Sequence, residues 1–433
     1  MASRRLIVGG AAAVTTAAAL LLGGVFAGHS APRESSGAVS FASGVDGADA
    51  DSLVPRLQEQ VRENPADAHG LALLGLAYEQ RARDTGDPSY YPKADGVLRR
   101  ALKVAPNDLL ATSGLGALAL SRHQFRSALA LGRRAVSLSP STAKGYGVVG
   151  DALVELGRYE DAFASFDRMV TLKPSLSSYA RVSYARELLG DVRGAARAMR
   201  LAIESAVGQR EPLAWSYTQL GKLFMSHGRV SAAERQFRNA LTVQRGYVYA
   251  LDGLAQVEAA RGHVGRAIAL ERRASESIPL PQFVGTLGDL LHRAGDEQAA
   301  KRQYSLIGAI NRLLRANGVK VDLESALFEV DHGIRLDQAL ERARAARADR
   351  PSIDGDDVLG WALQRTGRCG EAVRYSERAL RLGTLDASKF FHRGMIERCL
   401  GHRADAKRWF RRALALNPHF SQIWAPVARR YAA

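Results

Sequence analysis

Cysteine is nearly absent from this 433-residue chain: there are two, Cys369 and Cys399. Two thiols cannot build a four-ligand thiolate zinc site, and they are too few for a disulfide-dense small scaffold. Runs of alternating β-branched residues are also missing, so no sheet is expected and the chain reads as all-α. No phosphate-cradling loop, HExxH, GxSxG or Cys–His metal spacing occurs. Nothing in the sequence supports catalysis, and no cofactor or metal is expected. The turn histidines His123, His227, His263 and His402 have no carboxylate partners at ligand spacing and read as solvent-facing. Lysine is scarce as well, outnumbered more than five to one by arginine.

What is present is a period. Pro106, Pro140 and Pro174 fall 34 residues apart, and the same interval separates Gly116 from Gly150 and Gly360 from Gly394. Within the stretch from Lys144 to Pro174, Tyr146, Val149, Gly150 and Leu153 mark one helical stripe. Gly157 then supplies a tight turn. A second stripe follows at Ala162, Phe166 and Met169, and Pro174 ends it. Counted from the first-helix glycine, the turn glycine lies seven residues on, a small second-helix residue twelve on and a proline twenty-four on. Gly221, Gly228 and Ala233 keep these offsets, as do Gly394, Gly401, Ala406 and Pro418. The first copy, at Gly75, carries about seven extra residues in its turn. Another stretch is lengthened after Ile307, where a longer helix or a change of pitch is expected.

This pattern resembles the tetratricopeptide repeat family, and with the N-terminal segment described below it points to an exported bacterial type. Roughly ten copies cover about residues 66 to 418. The resemblance implies a right-handed α-α superhelix of helix-turn-helix repeats with short capping helices. One cap is read at Leu53, Leu57 and Val61, and the other at Phe420, Ile423, Trp424 and Val427. In such an array each unit contacts only its neighbours, and no central core forms.

Arg4 and Arg5 precede an uncharged run from Leu6 to Ala27. A positive start before an apolar stretch reads as an export signal or an N-terminal signal anchor over residues 1–27. Residues 28–52 are small, polar and acidic, which reads as a flexible linker. Residues 53–433 form the solenoid. The expected location is extracytoplasmic, secreted or anchored to the membrane. The net charge of +16 is read mainly as a solvated basic face, and nucleic acid is not an expected partner.

Consecutive helices in such a stack run antiparallel, so Cys369, opening one second helix, lies near Cys399, ending the next first helix. In an oxidising compartment a disulfide is expected there, the alternative being two free buried thiols. The resemblance further implies that first helices line a concave groove able to hold protein or peptide segments. Offsets of minus six, minus three, plus one and plus four from each first-helix glycine place eleven residues on that face. They are Tyr184, Trp215, Lys222, Tyr249, Asp289, Phe328, Asp357, Trp361, Phe391, Met395 and Arg398. Large rings among charges suit a protein-binding surface. A second surface carries paired arginines on the outer helices, at Arg99/Arg100, Arg133/Arg134, Arg272/Arg273 and Arg411/Arg412. It would suit anionic lipid or cell-envelope polymer.

Overall fold

A computed structural model describes residues 50–433; the expected signal segment and residues 28–49 of the linker lie outside the described residues. The described residues form helices only, with no strand among them. Numbered in chain order, the even helices line the inside of a superhelix. They are α2 (Ala68–Thr85), α4 (Leu109–Ser121), α6 (Ala143–Glu155), α8 (Leu176–Leu188), α10 (Arg210–Ser226), α12 (Val248–Ala260), α14 (Pro281–Arg293), α16 (Asp322–Asp331), α18 (Ile353–Arg365), α20 (Ala387–Cys399) and α22 (Trp424–Ala432). The odd helices form the outer layer. They are α1 (Ala50–Glu63), α3 (Tyr90–Val104), α5 (Phe125–Leu138), α7 (Tyr159–Leu172), α9 (Val192–Ser205), α11 (Val230–Val243), α13 (Val264–Ser277), α15 (Glu297–Ala316), α17 (Leu336–Asp349), α19 (Cys369–Ala379) and α21 (Arg403–Leu416). Helices α2 to α21 thus make ten inner–outer pairs, flanked by a lone outer helix and a lone inner one.

Local chemistry sets the boundaries. Asp67, Asp108, Asp191, Asp296 and Asp386 precede helices and accept backbone N–H bonds from the first turn, which satisfies donors that a helix cannot use itself. Within a pair, Gly150 lets the outer helix close in: a Cβ there would lie 2.3 Å from the Phe166 ring. The residues added to the first copy largely extend α2 by a turn, and the stretch after Ile307 continues α15 to 20 residues. Residues Cys369 and Cys399 are joined by a disulfide with a Cα–Cα distance of 6.1 Å. It ties the start of α19 to the end of α20.

The superhelix meets itself. Arg122 donates twice to the Asn317 carbonyl, at 3.2 and 3.0 Å, and Gln124 donates to that of Gly318. The Ile353 N–H donates to the Tyr159 hydroxyl at 2.8 Å, Thr384 to the Leu188 carbonyl at 2.6 Å, and Asn417 to the Met225 carbonyl at 3.0 Å. Each pair is 192–196 residues apart. The end of α4 therefore abuts the start of α16, six repeats on, and α6, α8 and α10 abut α18, α20 and α22 in the same register. One turn closes every six repeats. Turn glycines seal the joint: Gly157 adopts φ +71°, and a Cβ on it would sit 2.3 Å from the Pro351 carbonyl oxygen. At the matching turn of α4, His123 takes φ 55° without being glycine, and its Nδ1 donates to the Lys320 carbonyl at 2.7 Å.

Ring closure at six has a steric consequence. Six helices of ordinary diameter, side by side, surround a bore about one helix wide, about 10 Å. The concave face of this molecule is accordingly narrow.

The joint can be tested with two substitutions. Gly157→Ala combines a left-handed backbone cost of about 1–2 kcal/mol with a clash costing about 1–3 kcal/mol. Gly262→Ala carries only the first, because nothing lies within 4 Å of its Cβ position. Urea unfolding followed by circular dichroism is expected to show the larger loss for Gly157→Ala; equal losses would mean that the contact between turns contributes nothing.

Candidate functional site

The concave face is the natural candidate, and it divides into two levels. In the first turn the plus-four positions of the inner helices are Glu79, Leu120, Val154, Glu187, Met225 and Ala259, all buried. Arg181 binds Asp151 through both carboxylate oxygens, with Nη2 at 2.5 Å, and its other nitrogen bonds Ser177. Burial pushes the Asp151 carboxyl up to about 6, against the pull of Arg181. No donor among the described residues reaches either oxygen of Glu79. Burial pushes Glu79 and Glu187 each up to about 8, so both carboxyls are held in the neutral form near pH 7.

The second-turn level is more highly charged. Lys389, 3% exposed, donates to Asp354 at 2.7 Å and Asp386 at 2.9 Å. Asp357 contacts His392 Nδ1 at 3.0 Å, and that imidazole stacks on Trp361 at 4.6 Å. His332 meets acceptors with both ring nitrogens, Phe328 carbonyl at 2.7 Å and Asp289 at 2.8 Å, the arrangement of an imidazolium. Although burial opposes their charge, the facing carboxylates raise both histidines above the ordinary value. Asp331 accepts from two indoles, Trp361 Nε1 at 2.8 Å and Trp424 Nε1 at 3.0 Å. The Arg365 guanidinium lies over both rings, at 5.4 and 5.1 Å, and donates to the Val330 carbonyl.

The eleven residues placed on this face by offset are therefore distributed differently from a row of rings facing solvent. Trp215, Asp357, Trp361 and Phe391 are buried, while Tyr184, Lys222, Tyr249, Asp289, Phe328 and Met395 are half-buried. Arg398 is exposed, with its guanidinium 4.1 Å from the Tyr431 ring. The structure gathers Asp357, Trp361 and Phe391 with His392 and Trp424. It gathers Asp289 and Phe328 with Tyr304 and His332. Lys222 lies over Tyr249 at 5.8 Å, whereas Trp215 belongs to the hydrophobic core of α8 to α12. The concave face is therefore narrower and more covered than a row of solvent-facing rings, because six repeats close each turn and the closing segment enters it.

That segment departs from the expected cap. Helix α22 begins at Trp424, so Phe420 and Ile423 precede it instead of lying on it. Phe420 and Trp424 pack on Phe391 at 5.6 and 5.5 Å. Lys389, His392, Asp331 and Arg365 were not singled out from the sequence. Only charged types at inward offsets could have signalled them. Of the acidic run Asp354, Asp356 and Asp357, the first two lie in the first turn of α18, and each of the three carboxylates faces a cationic side chain. No group of three His, Cys, Asp or Glu residues arranged to hold a metal occurs among the described residues. No described helix is long and apolar enough to cross a membrane. On the outer layer, all eight paired arginines are exposed. Arg99 engages Asp95, and Arg412 covers Phe390 and Trp409.

Stability should fall with rising pH. The unfolded chain releases the protons of Glu79 and Glu187 near pH 4.5, whereas the folded chain holds them to about pH 8. Each group therefore removes about 1.4 kcal/mol per pH unit across that window. Denaturation midpoints are expected to drop between pH 5 and 8 and to drop less in Glu79→Gln and Glu187→Gln. An unchanged pH slope in both variants would contradict the assignment.

A family model described as tetratricopeptide repeat matches residues 114–177 and 218–280. No curated protein matches the sequence. Among solved structures, the chain is similar to a thermophilic tetratricopeptide-repeat protein of Thermus thermophilus, at 23% identity and TM-score 0.39, over 44% of this chain and 97% of that one. It is similar to YrrB, described as having an unusual peptide-binding site, at 18% identity and TM-score 0.31, over 46% and 97%. It is also similar to the human IFIT1 dimer with PPP-AAAA, at 13% identity and TM-score 0.43, over 87% and 96%.

Proposed function

We propose, from the premise that this chain belongs to the tetratricopeptide-repeat family, that it is an exported, non-catalytic scaffold binding protein or peptide segments at its concave face. Repeats of this family are typically protein-binding. The observation that carries the reading is Asp331, which accepts from the indoles of Trp361 and Trp424. A carboxylate that accepts from indole N–H edges, with Arg365 over the ring faces, is recognition chemistry for a polypeptide segment, and a polypeptide segment already lies on it. Mechanistically this is equilibrium binding: rings supply buried area, and the fixed charges set register.

Export is supported by the basic start and apolar run of the first 27 residues and by the disulfide, which persists in oxidising compartments. A second reading rests on the eight exposed arginines of the outer layer, which would hold an anionic membrane or envelope polymer through charge.

One experiment separates the two. Photo-crosslinking amino acids placed in cells at Met395, on the concave face, and at Arg272, on the outer face, report what lies against each. The concave reading expects protein crosslinks at Met395 that persist in about 0.5 M salt. Crosslinks at Arg272 alone, lost at that salt, would establish the outer face instead.

A further inference from the structure

The closing segment does not follow the rule that the rest of the chain obeys. After Pro106, Pro140, Pro174 and Pro351 the next inner helix begins two or three residues on, at Leu109, Ala143, Leu176 and Ile353. After Pro418 it begins six residues on, at Trp424, and residues 418–423 form turns and bends. The first turn of the eleventh inner helix is thus unwound. The unwinding lets the chain cross the bore: between residues 417 and 424 it meets α10 through Asn417, α14 through Gln422, and α16, α18 and α20 through Trp424.

Its attachment is that of a guest. Residues 418–424 are all half-buried, and their socket joins half-buried Asp331 and Arg365 to Trp361 and Phe391, which are fully covered with the segment in place. The socket is also complete without them. Trp361 keeps its bond to Asp331 and its stack on His392, and Arg365 keeps its bond to the Val330 carbonyl. What Trp424 adds is one indole N–H to an acceptor with a spare lone pair, one ring face to a cation, and ring contacts with Trp361 and Phe391. Gln422 adds a single side-chain bond, accepting from Arg293 at 2.6 Å. Interactions of this kind are individually weak and collectively specific.

We propose that the segment Phe420–Trp424 is a displaceable occupant of the second-turn concave face, and that the socket it fills takes protein segments presenting a tryptophan near a second aromatic ring. The proposal rests on the concave reading above and adds the chemistry of the ligand and the reason the face is closed. Asp331 selects an N–H donor on a flat ring, Arg365 selects the ring's π-face, and Phe391 receives the second ring. A partner carrying the same pair of rings competes with the chain's own, so partner binding and release of the segment are one exchange. Affinity for an outside segment is reduced by the fraction of molecules in which the socket is already filled.

The test uses the full-length protein and a fluorescein-labelled peptide of residues 417–433, read by anisotropy. Trp424→Ala vacates the indole position of the socket and is expected to bind the peptide at least tenfold more tightly than the unsubstituted protein. Adding Asp331→Ala, or replacing the peptide's tryptophan by alanine, should remove most of that gain. A second measurement needs no variant. Hydrogen exchange of the unsubstituted protein should show amides 418–427 exchanging faster than those of α20, and faster still with excess peptide. Peptide binding equal in the unsubstituted protein and Trp424→Ala would overturn the proposal. So would a folded Trp424→Ala that binds nothing, or amides 418–427 as protected as α20 and indifferent to peptide. Crosslinks at Met395 without peptide exchange would leave the scaffold reading standing and remove this one.

Discussion

Residues 122–124 lie against the carbonyls of residues 317–320, and the three joints that follow repeat this contact along the edge of the first turn. A repeat array whose units touch only their neighbours has no reason to prefer one bore over another, since small rotations per repeat accumulate freely. Contact between turns removes that freedom. It fixes six repeats per turn, and six make the concave face narrow. The burial of charges that a wider superhelix would leave in water follows from this edge.

Those charges explain much of the lumen's character. An ionised group in such a place is costly unless paired, and breaking a buried pair costs more than forming it gains. The molecule answers in two ways. In the second turn it pairs Lys389 with Asp354 and Asp386, and His392 with Asp357. In the first turn Glu79 and Glu187 stay protonated. The same steric limit favours aromatic rings on this face. A flat indole fits a narrow bore and still brings one N–H to an acceptor there, as Trp361 and Trp424 both do at half-buried Asp331.

The period, the pair geometry and the turn glycines were all legible in the sequence because they are local. Gly150 against Phe166 can be read from an offset of sixteen residues, and the helix-to-helix turn from Gly157. The disposition of the concave residues was not. Counting from Gly360 puts Trp361 beside the inner stripe, but its surroundings include Trp424, more than sixty residues away, and a closure between residues nearly two hundred apart. Nothing in a 34-residue pattern encodes the superhelical pitch. Lys389 and His392 escaped notice for a related reason: on one repeat they look like surface charges, and the neighbouring α18 supplies Asp354 and Asp357, while Asp386 of their own repeat completes the Lys389 pairing.

The two ends of the described array meet the same physical demand differently. An exposed terminal repeat would leave an apolar face in water. At the first end a whole amphipathic helix, α1, lays Leu53, Leu57 and Val61 over the next pair from outside. At the other end the lone inner helix is short, begins late, and sends two rings inward while α22 covers Phe410 through Tyr431. A cap made from outside shields a repeat without touching the concave surface. A cap made from inside shields it by occupying that surface. Because the second kind spends recognition chemistry on its own chain, stability at this end and vacancy of the socket are opposed quantities, and any ligand of the socket must replace what the closing segment contributes there.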